Sequence, residues 1–165
     1  MKKLLNNKKG FTLIELLAVI VILAILVMVS IPAVMKYLDT ARRGTFADGA
    51  STAVSAVRND VIVNGRQGTI YYCLKKPVST ESRTACNNAT PVQPYINDLL
   101  EVKLDKSPFG NNYDVNSYIK VTVNGDETKY EICLTDGKYG IKKDSKEIDK
   151  NFVLDSVTSC TIPTT

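Results

Sequence analysis

From Leu16 to Met35 the chain runs for 20 consecutive residues without a formal charge, almost all of them apolar. At helical rise this stretch is about 30 Å long, the thickness of the hydrocarbon core of a bilayer. It is therefore long enough to cross a membrane once. A single acid, Glu15, stands at its mouth, and Lys2, Lys3, Lys8 and Lys9 precede it. An acid at the edge of such a helix costs less than the roughly 2.5 to 3.5 kcal/mol of one at the centre, because it reaches the interface.

A basic stretch followed by an apolar run is also the layout of a secretory signal peptide or a plain anchor. Here the run exceeds the roughly 7 to 15 residues of a signal h-region, no A-x-A site follows it, and Ile31-Pro32 interrupts it. An ordinary cleavable signal fits poorly.

The segment Lys8-Lys9-Gly10-Phe11-Thr12-Leu13-Ile14-Glu15-Leu16 resembles the class III signal of the type IV pilin family, and Pro32 falls where those pilins carry a helix-kinking proline. The close match covers roughly the first 35 residues; beyond them the likeness is one of layout. The resemblance implies that a membrane-embedded prepilin peptidase cuts between Gly10 and Phe11 and methylates the new amino group of Phe11. Residues 1–10 then leave as a leader, 11–35 stay as the transmembrane and filament-core half of a long helix, and 36–165 form the head. In a bundle of such helices a lone carboxylate is costly, so Glu15 is expected to pair with the α-amino group of Phe11 on an adjacent subunit. The plainer alternative is local: residues 11 and 15 are four apart, so Glu15 can neutralise the amine and dipole of its own helix. Both readings need a free amine, hence cleavage first.

Composition bears on the class of function. The chain has 21 basic and 17 acidic residues, and four of the lysines lie in the expected leader, which leaves the remainder formally neutral. No excess of positive charge speaks for a nucleic-acid partner. With no His and no Trp among 165 residues, Ser-His-Asp or Cys-His catalysis and imidazole-ligated metals are excluded. No enzyme is expected and no cofactor is implied. The length suits one compact head and a long helix, not two ordinary domains.

The expected fold is α+β, a long N-terminal helix packed on an antiparallel sheet. Phe46, Ala50, Ala53, Val57 and Val61 recur at helical spacing and predict one apolar stripe facing a core. Asn64-Gly65 supplies a stop, so Phe11 to Asn64 would make one helix of about 80 Å, weakened at Gly44 and Gly49. Pro32 removes one backbone donor and marks 28–32 as the place to kink. In pilins, melting before this proline accompanies assembly; the plainer reading is a passive kink with Ser30 and neighbouring helices satisfying freed carbonyls.

Residues 66–116, with Pro77, Pro91, Pro94, Pro108 and Gly110, read as an irregular αβ-loop holding one short helix within Gln93 to Glu101. From Tyr118 the period changes to two. Tyr118 to Val123, a turn at Asn124-Gly125 and Lys129 to Leu134 predict a hairpin, and Asp136-Gly137 turns into a further strand from Tyr139 to Lys142. The meander and a C-terminal closed region occupy 117–165. The alternation of lysines and acids from Lys138 to Lys150 reads as a solvated face.

Cys73, Cys86, Cys133 and Cys160 fit the disulfides of an exported domain, since no two stand at C-x-x-C spacing. Three connectivities are open. Cys73 to Cys86 and Cys133 to Cys160 are favoured, the second being similar to the C-terminal disulfide loop of many pilins. Asp105 to Asp114, with its Pro108-Phe109-Gly110-Asn111-Asn112-Tyr113 run, is similar to the P-W-G-N-x-Y loop of type II secretion major pseudopilins, some of which bind calcium. Ordinary turn chemistry accounts for these residues without an ion, so no metal is assigned.

The resemblance thus implies a structural subunit of a type IV pilus, serving adhesion, twitching motility or DNA uptake. Its expected partners are copies of itself, the prepilin peptidase, an inner-membrane assembly platform with its ATPases, and the membrane before assembly. A pseudopilin of a type II secretion or competence system shares the N-terminus. A non-polymerising, membrane-anchored extracellular binding domain is the alternative of another class.

Overall fold

The structure, a computed structural model, describes residues 10–75, 94–144, 148–157 and 159–160. Residues 1–9 and Cys86 lie outside the described residues, as do Pro77 and Pro91. Two compact units divide the chain, Met1–Asp39 and Thr40–Thr165.

The first element is helix α1, Leu13–Val63. In the second unit its buried positions are Phe46, Ala47, Ala50, Ala53, Val54, Val57 and Val61, the expected stripe widened by Ala47 and Val54. Gly49 has a packing reason to be small, since a Cβ there would lie 3.1 Å from Leu104 Cδ2. The helix ends where Asn64-Gly65 predicts. The Gly65 amide donates to Ile62 O and the Arg66 amide to Val61 O, with Gly65 at φ 56°, the paired bonds and left-handed residue of a Schellman stop.

Four strands follow the helix: β1, Gly68–Cys73; β2, Tyr118–Asn124; β3, Glu127–Thr135; and β4, Gly140–Lys143. A short helix α2, Ile96–Leu99, precedes β2, inside the span expected for it. The strands make one antiparallel sheet in the order β1-β2-β3-β4. Register places Tyr72 beside Ile119 and Ile119 beside Ile132, and Ile70 beside Val121 and Val121 beside Tyr130. Because side chains alternate along a strand, these rows share one face. They form a single core cluster with the stripe of α1. The opposite face carries a second cluster of Tyr118, Cys133 and Cys160, with Tyr71 and Val157 packed against it.

Three expectations need correction. Residues 66–116 are not irregular throughout, because β1 lies among them and pairs along its whole length with β2. The hairpin loop is Gly125-Asp126 and not Asn124-Gly125, since Asn124 still pairs with Glu127; Gly125, at φ 61°, takes the left-handed position. The last strand starts at Gly140, one residue later than expected, because Tyr139 closes the Asp136 turn through its amide bond to Asp136 Oδ1.

Gly140 is the tightest glycine in the head. It pairs with Thr135 on one side and exchanges two backbone hydrogen bonds with Leu154 on the other. A Cβ at this position would meet Leu134 O at 2.7 Å, Val157 Cβ at 2.8 Å and Thr135 Cβ at 2.9 Å. The disulfide Cys133–Cys160 fixes the same C-terminal segment, with Cα atoms 5.7 Å apart and both residues buried. Cys73 is likewise disulfide-bonded; the expected Cys73–Cys86 pairing lies outside the described residues.

A half-buried polar clamp ties the end of α1 to β1. Asp60 accepts from Arg66 Nε at 2.7 Å, from the Tyr72 hydroxyl at 2.8 Å and from Asn64 Nδ2 at 2.8 Å. Burial alone would raise the Asp60 carboxyl, but the Arg66 guanidinium and Tyr72 hydroxyl outweigh it and hold the group below its ordinary value.

Two predictions follow from this packing. Gly140→Ala should destabilise the detergent-solubilised chain by about 1 to 3 kcal/mol in urea unfolding, because two of the three clashing atoms belong to packed strand residues. For Asp60, a depressed folded value means that its stabilisation is present above the unfolded value of about 3.9 and is lost as pH falls through the folded one. Asp60→Asn should lower stability near neutrality by about 1 to 3 kcal/mol and flatten the decline between neutral and acid pH; an unchanged pH profile would show that the clamp contributes nothing.

Candidate processing and assembly site

The expected processing and assembly residues, Gly10, Phe11 and Glu15, sit together at the start of α1. Phe11 is 93% exposed, and a Cβ on Gly10 would meet no described residue within 4 Å. Thr12 is the residue before the first helical turn. Its hydroxyl accepts from the Glu15 amide at 3.3 Å, while Glu15 Oε2 accepts from the Thr12 amide at 2.8 Å and from the Thr12 hydroxyl at 2.9 Å. This reciprocal pair is a capping box, spelled in the sequence as Thr12-Leu13-Ile14-Glu15. Thr12 is not among the expected site residues, although T-x-x-E before an apolar run is the signal that finds it.

Glu15 thus has a local partner in the uncleaved chain, and that partner is Thr12. The amine-capping geometry needs a positive group at Phe11, whose nitrogen here belongs to the peptide bond with Gly10. Cleavage would convert that nitrogen into an amine four residues before Glu15.

Along the helix, every large hydrophobic residue from Phe11 to Met35 is exposed. The exposure is all round and not confined to a stripe, which marks a helix whose surroundings are lipid or other apolar helices. Among the described residues α1 is the one helix long and apolar enough to cross a membrane. It remains α-helical through Pro32. Ser30 Oγ donates to Leu26 O at 2.6 Å, so it does not serve the carbonyl of Met28, which Pro32 leaves without its helical donor.

In the head, the loop from Asp105 to Asp114 is held by protein groups. Its ends meet at a bridge between Lys106 and Asn112. Phe109 stacks on Tyr139 with centroids 3.7 Å apart, and both Phe109 and Tyr113 pack on Phe46 of α1. Asp136, at the β3–β4 turn, accepts from Ser107 Oγ, from Asn111 Nδ2 at 3.3 Å, and from the amides of Lys138 at 3.0 Å and Tyr139 at 2.7 Å. Burial pushes its carboxyl up, and these donors, Ser107 first, bring it below the ordinary value. Ser107 and Asn111 of the loop are therefore engaged as donors to Asp136. Among the described residues no group of three or more His, Cys, Asp or Glu side chains is placed to hold a metal ion.

Asp136→Ala should release the loop and cost about 3 kcal/mol, since a charged acceptor and several buried donors lose their partners together. Millimolar calcium should leave the thermal midpoint of the unaltered chain where it is. A calcium-dependent rise abolished by this substitution would overturn the account of the loop.

The prokaryotic N-terminal methylation motif matches residues 5–31. A fimbrial protein of Moraxella nonliquefaciens is 43% identical over 65 residues, which are 38% of this chain and 40% of that protein. The match thus spans well under half the length of this curated relative. No solved structure gives a significant match. A signal of this class followed by an apolar N-terminal helix fits a membrane-anchored prepilin that becomes part of an extracellular fimbrial filament. The methylation motif, the fimbrial relative, and the long helix with its four-stranded antiparallel sheet support a type IV pilin.

Proposed function

We propose that the chain is a structural, non-enzymatic subunit of a type IV pilus, cut between Gly10 and Phe11 by a prepilin peptidase, methylated at Phe11, and assembled with copies of itself. The observation that carries this reading is the wholly exposed apolar stretch of α1 headed by Glu15. Packed among identical helices, that stretch is removed from lipid, and Glu15 meets the amine of a neighbouring Phe11. Pro32 is the place at which the helix gives way on assembly. Cys73–Cys86 and Cys133–Cys160 close the head for life outside the cell. Adhesion, surface motility or DNA uptake are the outputs of such a fibre, driven by ATPases at an inner-membrane platform.

The fimbrial relative favours a pilus. The Pro108 to Tyr113 run favours the second reading, a pseudopilin of a type II secretion or competence system, which would build a short fibre from the same N-terminus.

The test is the intact, unreduced mass of protein from sheared surface material. A chain beginning at methylated Phe11 is the expected result; a chain beginning at Met1, confined to membranes, would leave an anchored, non-polymerising binding domain. Glu15→Val should keep the protein in the membrane and cut its incorporation sharply. Removing one partner of a buried pair typically costs about 3 to 5 kcal/mol, left here on an unpaired amine.

A further inference from the structure

Two Asn-Gly steps occur in the chain, Asn64-Gly65 and Asn124-Gly125. Such a step is chemically labile because glycine, lacking a Cβ, lets its backbone nitrogen approach the preceding carboxamide. The deprotonated glycine nitrogen attacks Cγ of the asparagine and forms a five-membered succinimide. The Cγ–Nδ2 bond breaks and ammonia leaves. Water then opens the ring at either carbonyl, giving aspartate or isoaspartate. Water is the one co-reactant, and nothing is oxidised or reduced.

The fold treats the two steps in opposite ways. At the end of α1, Asn64 Nδ2 donates to Asp60 Oδ1 at 2.8 Å and to Asp60 O at 3.1 Å, and the would-be nucleophile, the Gly65 amide, donates to Ile62 O at 3.3 Å. Leaving group and nucleophile are both held. At the tip of the β2–β3 hairpin Asn124 and Gly125 are exposed. Among the described residues, neither the Asn124 carboxamide nor the Gly125 amide has a hydrogen-bond partner.

We propose that Asn124 is a site of spontaneous deamidation and that the Schellman stop and the Asp60 clamp protect Asn64. The product places a carboxylate next to Asp126 and opposite Glu127, its register partner in β3. Like charges in that position weaken the pair. Isoaspartate also lengthens the backbone at the last residue of β2. The hairpin tip therefore gains negative charge and frays as the protein ages, while the rest of the sheet keeps its register.

The experiment is a time course of the full chain in detergent, in mildly alkaline buffer at physiological temperature. Peptides are mapped by mass after digestion at acid pH, and isoaspartate is labelled with an isoaspartyl methyltransferase. The folded chain should convert at Asn124 roughly tenfold or more faster than at Asn64, where both reacting groups must first give up a hydrogen bond. In denaturant the two sites should converge to similar rates. Asn124→Gln should abolish the main label with the protein still folded. Conversion of Asn64 as fast as Asn124 in the folded chain would overturn the proposal, and so would an unmodified Asn124 over the time in which the denatured chain reacts.

Discussion

A sheet with one apolar face cannot be left open to water, and in this head the burial of that face against α1 is the interaction on which the other contacts depend. Ile70, Tyr72, Ile119, Val121, Ile132, Leu134 and Ile141 share a core with the seven buried residues of the helix. Most of the helix contribution is small: three alanines and three valines let the backbone of α1 come close to the strands. Phe46 is the exception, and its bulk sets where the loop from Asp105 to Asp114 can dock, through Phe109 and Tyr113. Asp136 then fixes the loop from its other side. Polar bonds in this region complete what the apolar packing has already positioned.

The far face of the sheet is closed differently. Among the described residues the cluster there is small, built on Tyr118, Tyr71 and the Cys133–Cys160 disulfide. The covalent link adds to this cluster: in the chain-entropy model a loop of 27 residues restricts the unfolded chain by roughly 3 to 4 kcal/mol. Gly140 serves the same end by letting the returning segment pair directly with β4. Arg43 continues the attachment back to the helix, donating to Val153 O at 2.7 Å and pairing with Asp155.

What could be read from the sequence was whatever a single local period spells. The stripe from Phe46 to Val61, the stop at Asn64-Gly65 and the alternation from Tyr118 to Val123 each state their structure within a few residues. β1 does not. Thr69-Ile70-Tyr71-Tyr72-Cys73 lacks alternation because both its faces are used: Tyr72 lies in the helix-side core and Tyr71 against Tyr118 with ring centroids 5.8 Å apart. Its pairing with β2 joins residues about fifty positions apart, which no local pattern encodes. The hairpin turn was displaced by one residue because Asn-Gly names the turn but cross-strand pairing of Asn124 with Glu127 decides the register. Thr12 escapes for a different reason: both expected partners of Glu15 are amines at Phe11, on a neighbouring or on its own helix, and neither draws attention to the hydroxyl three residues before the acid.

That hydroxyl changes the argument about the acid. A carboxylate at the edge of a bilayer is tolerable when donors surround it, and in the uncleaved chain the Thr12 amide and hydroxyl supply them. The same bonds leave no net charge cancelled, so a bundle of uncleaved helices would still bring many like charges into one apolar core. On the proposed reading, cleavage adds one positive charge per chain within reach of each Glu15, turning a hydrogen-bonded but unneutralised anion into half of an ion pair. Thr12 and Phe11 then play successive parts: the first makes the acid affordable in the membrane, and the second makes it neutral in the fibre. On that reading, processing would be coupled to assembly through the amine that cleavage creates beside Glu15.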